Sequence, residues 1–301
     1  MGYKRSRDEA MVEVKTEQPA SPYIPMFEGF RKELDEHHDR REKIIKASRD
    51  ITASSKKMQV ASIKHRVRSL GQPVPQFVNK NNTQYWETID KQYKSIAADV
   101  QGLNAYRYER NITGGNQEFM ESLTFQHYLE TQTLISYDES KSRIAAMSGE
   151  GGPVLLSPED FILGVFDLIG ELMRFSITSM AMNGKLPAGK PKKYKNEKKD
   201  AEDEQAGDKM DVDEEAPAAS ETQQPRIVLS DLREIRLRLE MFEPPPGSKF
   251  ADEVEKKMRV MRECVDKVEK ALYSLTVRGK ERPKGWMPEA TEGRRAEVES
   301  Y

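Results

Sequence analysis

The amino-acid sequence predicts an all-α protein, an antiparallel bundle of about seven helices. Through most of the chain, apolar residues recur at steps of three and four positions, the spacing of one face of a helix. Runs of alternating β-branched residues, which would predict strands, are absent. Segments rich in glycine and proline separate the periodic stretches, as expected for connections between packed helices.

Composition limits the classes of function that the chain can have. Only 36% of the 301 residues are hydrophobic and 33% are charged, so we expect part of the chain to be disordered. The single cysteine, Cys264, excludes an internal disulfide and a multi-cysteine zinc site. No run of about 18 apolar residues is available to cross a bilayer. We therefore expect a soluble intracellular protein without a membrane partner.

The N-terminal 22 residues show no apolar periodicity, and we expect a flexible arm there. Their basic cluster at residues 4–7 is either part of a nuclear import signal or a solubilising charge run. The formal net charge of −2 gives no overall bias toward nucleic acid, although basic and acidic segments cancel within it.

A helical pattern begins at Phe27 and continues for roughly forty residues. Its inner face carries Phe27, Phe30, Leu34, Arg41, Ile44, Ile45, Ser48, Ile51, Thr52, Ser55 and Met58. Its outer face carries Arg40, Lys43, Lys46, Arg49, Lys56, Lys57, Lys64, Arg66 and Arg68. Two interpretations of this basic face remain open: an ordinary solvated surface, or a surface that follows a phosphate backbone.

Further helices are expected after the break at residues 71–75. One is predicted over residues 81–108, followed by a short break at 111–115 and a helix over 117–129. Residues 136–152 are expected to connect to the next helix. That helix has a clear start, because Ser157 suits an N-cap, Pro158 the first helical position and Asp160 the third. Within it, Gly164 and Gly170 favour close approach of a neighbouring backbone.

The C-terminal third contains a composition change and two more helices. Residues 185–225 are first basic and then acidic, and we expect a disordered insertion between residues 23–184 and 226–283 of one helical domain. Ser230 is expected to cap a helix that ends at residues 243–247. The last helix has a long apolar seam from Val254 to Leu275, which suits either a bundle core or an oligomer interface. Residues 284–301 are expected to form a flexible tail.

Four carboxylates stand within apolar helical stretches. Glu118 and Glu121 are three residues apart, and Asp167 and Glu171 are four apart, so each pair shares a helix face. If the two faces meet, the four acids converge. Because an unpaired buried carboxylate is costly, either a divalent cation such as Mg²⁺ holds them, or they pair with Lys and Arg or face solvent.

Several sequence blocks carry a resemblance to a known family. They are ASRDIT at 47–52, SKK at 55–57, RNITGG at 110–115, SLTFQHY at 122–128, the segment 163–174 and ALYSLTVRG at 271–279. With this order of blocks, the chain resembles the translin family over about residues 23–283, apart from the insertion.

The resemblance implies a seven-helix protomer that joins translin in a closed, hollow hetero-oligomer, expected to be octameric, with RNA inside. It also implies the catalytic role in that complex: a Mg²⁺-dependent endoribonuclease for single-stranded or nicked RNA, including small-RNA passenger strands and precursor-tRNA fragments, in cytoplasm and nucleus. The alternative is a non-catalytic scaffold or nucleic-acid-binding subunit that stabilises translin.

Residue by residue, the resemblance places the catalytic acids on Glu118, Glu121 and Asp167. We expect these three to hold one or two Mg²⁺ or Mn²⁺ ions, with Glu171 as a further ligand or as an acceptor that orients the attacking water. The expected contacts to the RNA backbone come from Arg49, Lys56, Lys57, Arg66 and Arg110.

Overall fold

The computed structural model describes residues 21, 23–64, 70–71, 73, 75–189 and 226–278, with only the backbone at 60–64. Within these residues the chain forms seven α-helices, α1 (Ile24–Lys64), α2 (Gln76–Ile96), α3 (Leu103–Thr131), α4 (Tyr137–Ser148), α5 (Pro158–Asn183), α6 (Val228–Glu240) and α7 (Lys249–Arg278). Two isolated β-bridges are the only extended pairings among the described residues. The all-α fold class and the expected number of helices are confirmed.

Several expectations fall on residues outside the described part. These are the N-terminal arm up to residue 20 with its basic cluster, most of the charged insertion (190–225), the last five residues of the expected helical domain (279–283), the tail (284–301), and Arg66. No helix in the described ranges is long and apolar enough to cross a membrane.

The chain divides into two compact units, Met1–Lys43 and Ile44–Tyr301. In the first unit, the described residues form the N-terminal part of α1, where Phe27 and Phe30 make an edge-to-face contact with ring centroids 6.3 Å apart. The second unit contains the rest of α1 and the other six helices.

Within the second unit, α1, α3, α5 and α7 run in the same direction, and the intervening helices oppose them. The contacts between α1 and α3 advance along both helices in the same order, since the Gly115 amide donates to Ser48 Oγ at 2.9 Å and Ser122 Oγ donates to the Ser55 carbonyl at 3.0 Å. Helix α2 opposes both: its Gln92 donates to Asp50, and its Trp86 ring contacts that of Phe119. Two helices that are separated by one antiparallel helix therefore run parallel to each other. Contacts between them pair residues that advance by equal steps along both helices.

The predicted break at residues 111–115 is wrong, because α3 continues through it. The Gly114-Gly115 pair serves a close contact instead: a Cβ on Gly115 would lie 3.0 Å from Ser48 Oγ and 3.1 Å from its Cα and carbonyl oxygen. The actual break is at Gly102, which has a φ of +57° and precedes α3. The helix predicted over 81–108 is accordingly split between α2 and α3.

The connection expected at residues 136–152 contains helix α4. Ser136 caps it, accepting a hydrogen bond from the Glu139 amide at 3.2 Å. The sequence pattern is weak because the buried positions of α4 are Ile144 and two small serines, Ser140 and Ser148. Small polar residues on the inner face lower the apolar periodicity on which the prediction depended.

The start of α5 is confirmed, whereas that of α6 is shifted. Ser157 Oγ accepts from the Asp160 amide at 3.1 Å, as an N-cap does. Helix α6 begins at Val228 rather than after Ser230, because the Val228 amide donates to the Pro187 carbonyl at 3.2 Å. The described chain thus continues to residue 189 as packed structure, four residues beyond the expected start of the insertion.

The seam of α7 packs within the chain. Val254, Met261, Val265 and Val268 are buried in one apolar cluster with residues of α5 and α6. The sequence left two roles open for this seam. The described structure places it in the core of the bundle.

We expect Gly115→Ala to lower the free energy of unfolding by about 1–3 kcal/mol, since the new Cβ would press against the backbone of Ser48. Gly114→Ala is the matched control: its Cβ would meet only Ser48 Oγ, at 3.9 Å, and alanine favours a helix by about 0.5–1 kcal/mol. Urea unfolding of the full-length chain measures both, and equal effects would contradict the close contact.

Candidate functional site

Helices α3 and α5 pack closely where the four acids lie. A Cβ on Gly164 would stand 2.6 Å from Met120 Cβ and 3.3 Å from the Gln117 carbonyl oxygen, so glycine permits this approach. Gly170 has no such role, since nothing lies within 4 Å of its Cβ position. Of the two glycines expected to mark close packing, only Gly164 does so.

A buried carboxylate network joins the two helices on the N-terminal side of the acids. Asp160, 2% exposed, accepts hydrogen bonds from Gln117 Nε2 at 3.0 Å and Asn116 Nδ2 at 3.3 Å. Thr113 Oγ1 contributes a longer one at 3.5 Å. Burial raises the pKa of Asp160, and these hydrogen bonds oppose the shift. The sequence indicated Asp160 only as a capping residue; its function in joining α3 to α5 depends on residues 43 to 47 positions away.

The packing brings Glu118, Glu121, Asp167 and Glu171 into one electrostatic environment. Burial is the largest cause that raises the pKa of Glu121 to about 8; the charges of Asp167, Glu171 and Glu118 contribute to the same shift, in that order. Burial also raises the pKa of Glu171, against the opposing charge of Arg174. Together with the close contact at Gly164, this mutual repulsion indicates that the acids of α3 lie near those of α5.

Three basic side chains neutralise three of the acids. Lys56 Nζ lies 3.1 Å from Glu118 Oε1. Lys257 Nζ lies 2.5 and 2.6 Å from the two oxygens of Asp167, and Arg174 pairs with Glu171. Lys257 was missed in the sequence, because it is 90 residues from Asp167 and lies within an otherwise ordinary polar face of α7.

The acids do not form a ready-made metal cage. Among the described residues, no group of three or more His, Cys, Asp or Glu side chains is arranged so that it could hold a metal ion. The donor set nevertheless suits a hard divalent cation, since all four groups are carboxylates. One oxygen of the set, Glu118 Oε2, is buried without a hydrogen-bond partner. A cation at this position would have to displace the basic side chains and draw the acids together.

The structure separates the basic residues expected to contact RNA. Lys56 is engaged with Glu118, whereas the Lys57 ammonium lies 5.8 Å from the centre of the Tyr85 ring. Arg49 on α1 and Arg110 on α3 are exposed, two turns before the acids. Of this set, only Lys56 contacts the acidic cluster among the described residues, and Arg66 lies outside them.

A second buried acid, Asp231, joins α6 to the end of α3. It accepts hydrogen bonds from Tyr128 Oη at 2.6 Å and Gln132 Nε2 at 2.9 Å, and pairs with Arg226. An adjoining cavity of about 390 Å³ has mainly apolar walls, including Phe161. None of the four clustered acids lines this cavity.

Comparison with known proteins places the chain in a family. The model of the Translin family matches residues 39–279. Translin-associated protein X of Rattus norvegicus is 28% identical over 290 residues, covering 90% of this chain and 84% of the rat protein. The Translin-associated protein X homolog of Schizosaccharomyces pombe is 30% identical over 252 residues, covering 84% of this chain and 87% of the yeast protein.

Two solved structures share the fold. The crystal structure of apo-NeC3PO superposes with a TM-score of 0.51 at 14% identity, covering 82% of this chain and 97% of that one. The crystal structure of AfC3PO gives a TM-score of 0.51 at 17% identity, with 84% and 97% covered.

Without metal, Glu121→Gln should be more stable than the wild type at alkaline pH. Protonated Glu121 stabilises the fold fully below its ordinary pKa of 4.5, and this contribution is lost as pH rises toward about 8. The loss approaches about 1.4 kcal/mol per pH unit. Glutamine does not ionise, so the advantage of the variant should grow from pH 5 to 8 and then level off. Urea unfolding in EDTA at pH 5, 7 and 9 measures this; a pH-independent difference would contradict the raised pKa of Glu121.

Proposed function

The chain belongs to the translin family, and we propose that it is the catalytic subunit of a complex with translin, a Mg²⁺-dependent endoribonuclease acting on single-stranded or nicked RNA. The proposal rests above all on the four carboxylates that α3 and α5 bring to one environment, where burial and the charges of the other three acids raise the pKa of Glu121 to about 8. Clustered acids of this kind are typical of functional sites rather than of folding cores.

In the proposed site, Glu118, Glu121 and Asp167 bind one or two Mg²⁺ ions, and Mn²⁺ could replace them. Glu171 serves as a further ligand or accepts a hydrogen bond from the attacking water. When bound, the cation supplies Lewis acidity, which lowers the pKa of water and neutralises charge that develops on the phosphodiester.

The protein's own cations have a second function in this proposal. Lys56 and Lys257 now neutralise Glu118 and Asp167, and a divalent ion would release both. Their ammonium groups would then stand beside the acids, where a phosphate of the RNA must lie. The same lysines thus hold the acids together without substrate and bind the RNA backbone with it.

The RNA backbone would extend over further basic residues, for which Arg49, Lys57, Arg66 and Arg110 are the candidates. Small-RNA passenger strands and precursor-tRNA fragments are the proposed substrates. The rat and yeast relatives bear the name Translin-associated protein X, which supports translin as the partner. We propose an octameric hetero-oligomer.

A specific observation favours a second candidate, a non-catalytic scaffold or nucleic-acid-binding subunit that stabilises translin. Three of the four acids already have cationic partners, and no metal-binding arrangement exists within the described part of the chain. In this alternative the acids are structural ion pairs. The two candidates differ in metal binding, because structural pairs would bind no Mg²⁺ or Mn²⁺.

The decisive experiment is cleavage of a single-stranded RNA by the chain copurified with translin. We expect Glu118→Gln to lower the rate at least 100-fold in an intact complex, since it removes a charged ligand while keeping the shape of the side chain. Glu130→Gln, on the same helix near its C-terminal end, is the control and should cleave like the wild type.

Each other outcome has a definite meaning. Equal cleavage by wild type and Glu118→Gln would assign the activity to another protein in the preparation. No cleavage by the wild type, together with no Mn²⁺ binding, would establish the scaffold alternative.

Lys57→Ala should weaken RNA binding equally for different sequences. Loss of one phosphate contact reduces the slope of log K against log salt concentration by about 0.7 for a single strand. Lys270→Ala, an exposed lysine of α7, is the control and should leave the slope unchanged. RNA affinity measured from low to moderate salt concentration tests this prediction. An unchanged slope for Lys57→Ala would show that Lys57 does not contact the RNA backbone.

A further inference from the structure

Unpartnered polar atoms occur on both sides of the contact between α1 and α3. Ser55 Oγ and Gln59 Nε2 on α1 and Glu118 Oε2 on α3 are buried and form no hydrogen bond. Ser55 is 0% and Gln59 6% exposed. A buried polar group without a partner is destabilising, so three at one helix contact require an explanation.

These atoms lie directly beside the acidic cluster. The carbonyl of Ser55 accepts a hydrogen bond from Ser122, one turn after Glu118, and Lys56 pairs with Glu118 itself. The Gln59 side chain faces Glu121 as a hydrogen-bond donor, which lowers the pKa of Glu121, but the contact falls short of a complete hydrogen bond from Nε2. Helix α1 therefore borders the site at the acids that α3 contributes.

The unpartnered atoms are chemically complementary. Glu118 Oε2 can only accept a hydrogen bond when ionised, whereas the Ser55 hydroxyl and the Gln59 amide can donate. Glu118 Oε1 is held by Lys56, which leaves Oε2 as the free oxygen of that carboxylate. The surplus of donors on α1 thus matches a surplus of acceptors on α3.

We propose that Ser55 and Gln59 are positioning residues of the acidic site, whose hydroxyl and amide donate hydrogen bonds to Glu118 and Glu121 when these carboxylates bind a divalent cation. This inference rests on the proposed function. Glutamate has a long, flexible side chain, so its carboxylate must be held if it is to serve as a ligand. Loss of a hydrogen bond to a ligating carboxylate typically lowers metal affinity by about 10–100-fold.

The test is Mn²⁺ binding by the full chain in complex with translin, measured by electron paramagnetic resonance without RNA. We expect Gln59→Met, which keeps the volume and removes the amide, to weaken Mn²⁺ binding about tenfold or more. Ser55→Ala should also weaken it about tenfold, and as a small truncation it keeps the proposal testable if Gln59→Met does not fold. The melting temperature in EDTA shows whether each variant is folded.

Ser176→Ala is the matched control. Ser176 is also a fully buried serine on a helix, with an unpartnered hydroxyl, but it belongs to α5 and not to α1 or α3. It should bind Mn²⁺ like the wild type. RNA cleavage at saturating Mn²⁺ should recover in Ser55→Ala, since excess metal compensates for weaker binding.

The outcomes separate this inference from the proposed function. Wild-type Mn²⁺ binding with unchanged affinity in a folded Gln59→Met and in Ser55→Ala would overturn the positioning role alone. An equal loss in Ser176→Ala would do the same, because a general packing defect would explain it. Absence of Mn²⁺ binding in the wild type would overturn both.

Discussion

The close approach of α1, α3 and α5 is the constraint on which the site depends. Gly115 lets α3 lie against the backbone of Ser48, and Gly164 lets α5 lie against Met120. Side chains larger than hydrogen at these two positions would separate the helices. Because the three helices run in the same direction, residues that contact each other advance together along neighbouring helices. The acids of α3 consequently face those of α5, and the polar residues of α1 border both.

Electrostatic repulsion is the cost of that arrangement. Four carboxylates in one partly buried environment favour a proton on Glu121, and the protein offsets part of the repulsion with Lys56, Lys257 and Arg174. These cations come from three helices, so the ion pairs also join α1 and α7 to the site. A site with excess negative charge and removable cations is suited to exchange them for a divalent ion.

Local sequence patterns predicted helix boundaries correctly where the boundary depends only on neighbouring residues. Ser157 and Pro158 marked the start of α5 because an N-cap needs only local hydrogen bonding. The glycines at 114 and 115 were misleading, since a glycine pair that usually breaks a helix here admits a neighbouring backbone. Helix α4 was hidden because its buried positions include serines, whose burial depends on α2 and the following segment rather than on α4 itself.

The sequence by itself determined the all-α class, the helical periodicity and the spacing of Glu118, Glu121, Asp167 and Glu171 on two helix faces, because these depend on residues within a few turns. Only the tertiary structure decided that the two faces meet, that Asp160 joins the helices, and that Lys257 reaches Asp167. It also placed Ser55 beside Ser122, one turn after Glu118, and Gln59 beside Glu121. These contacts connect residues tens of positions apart, and such pairing depends on the packing and direction of whole helices.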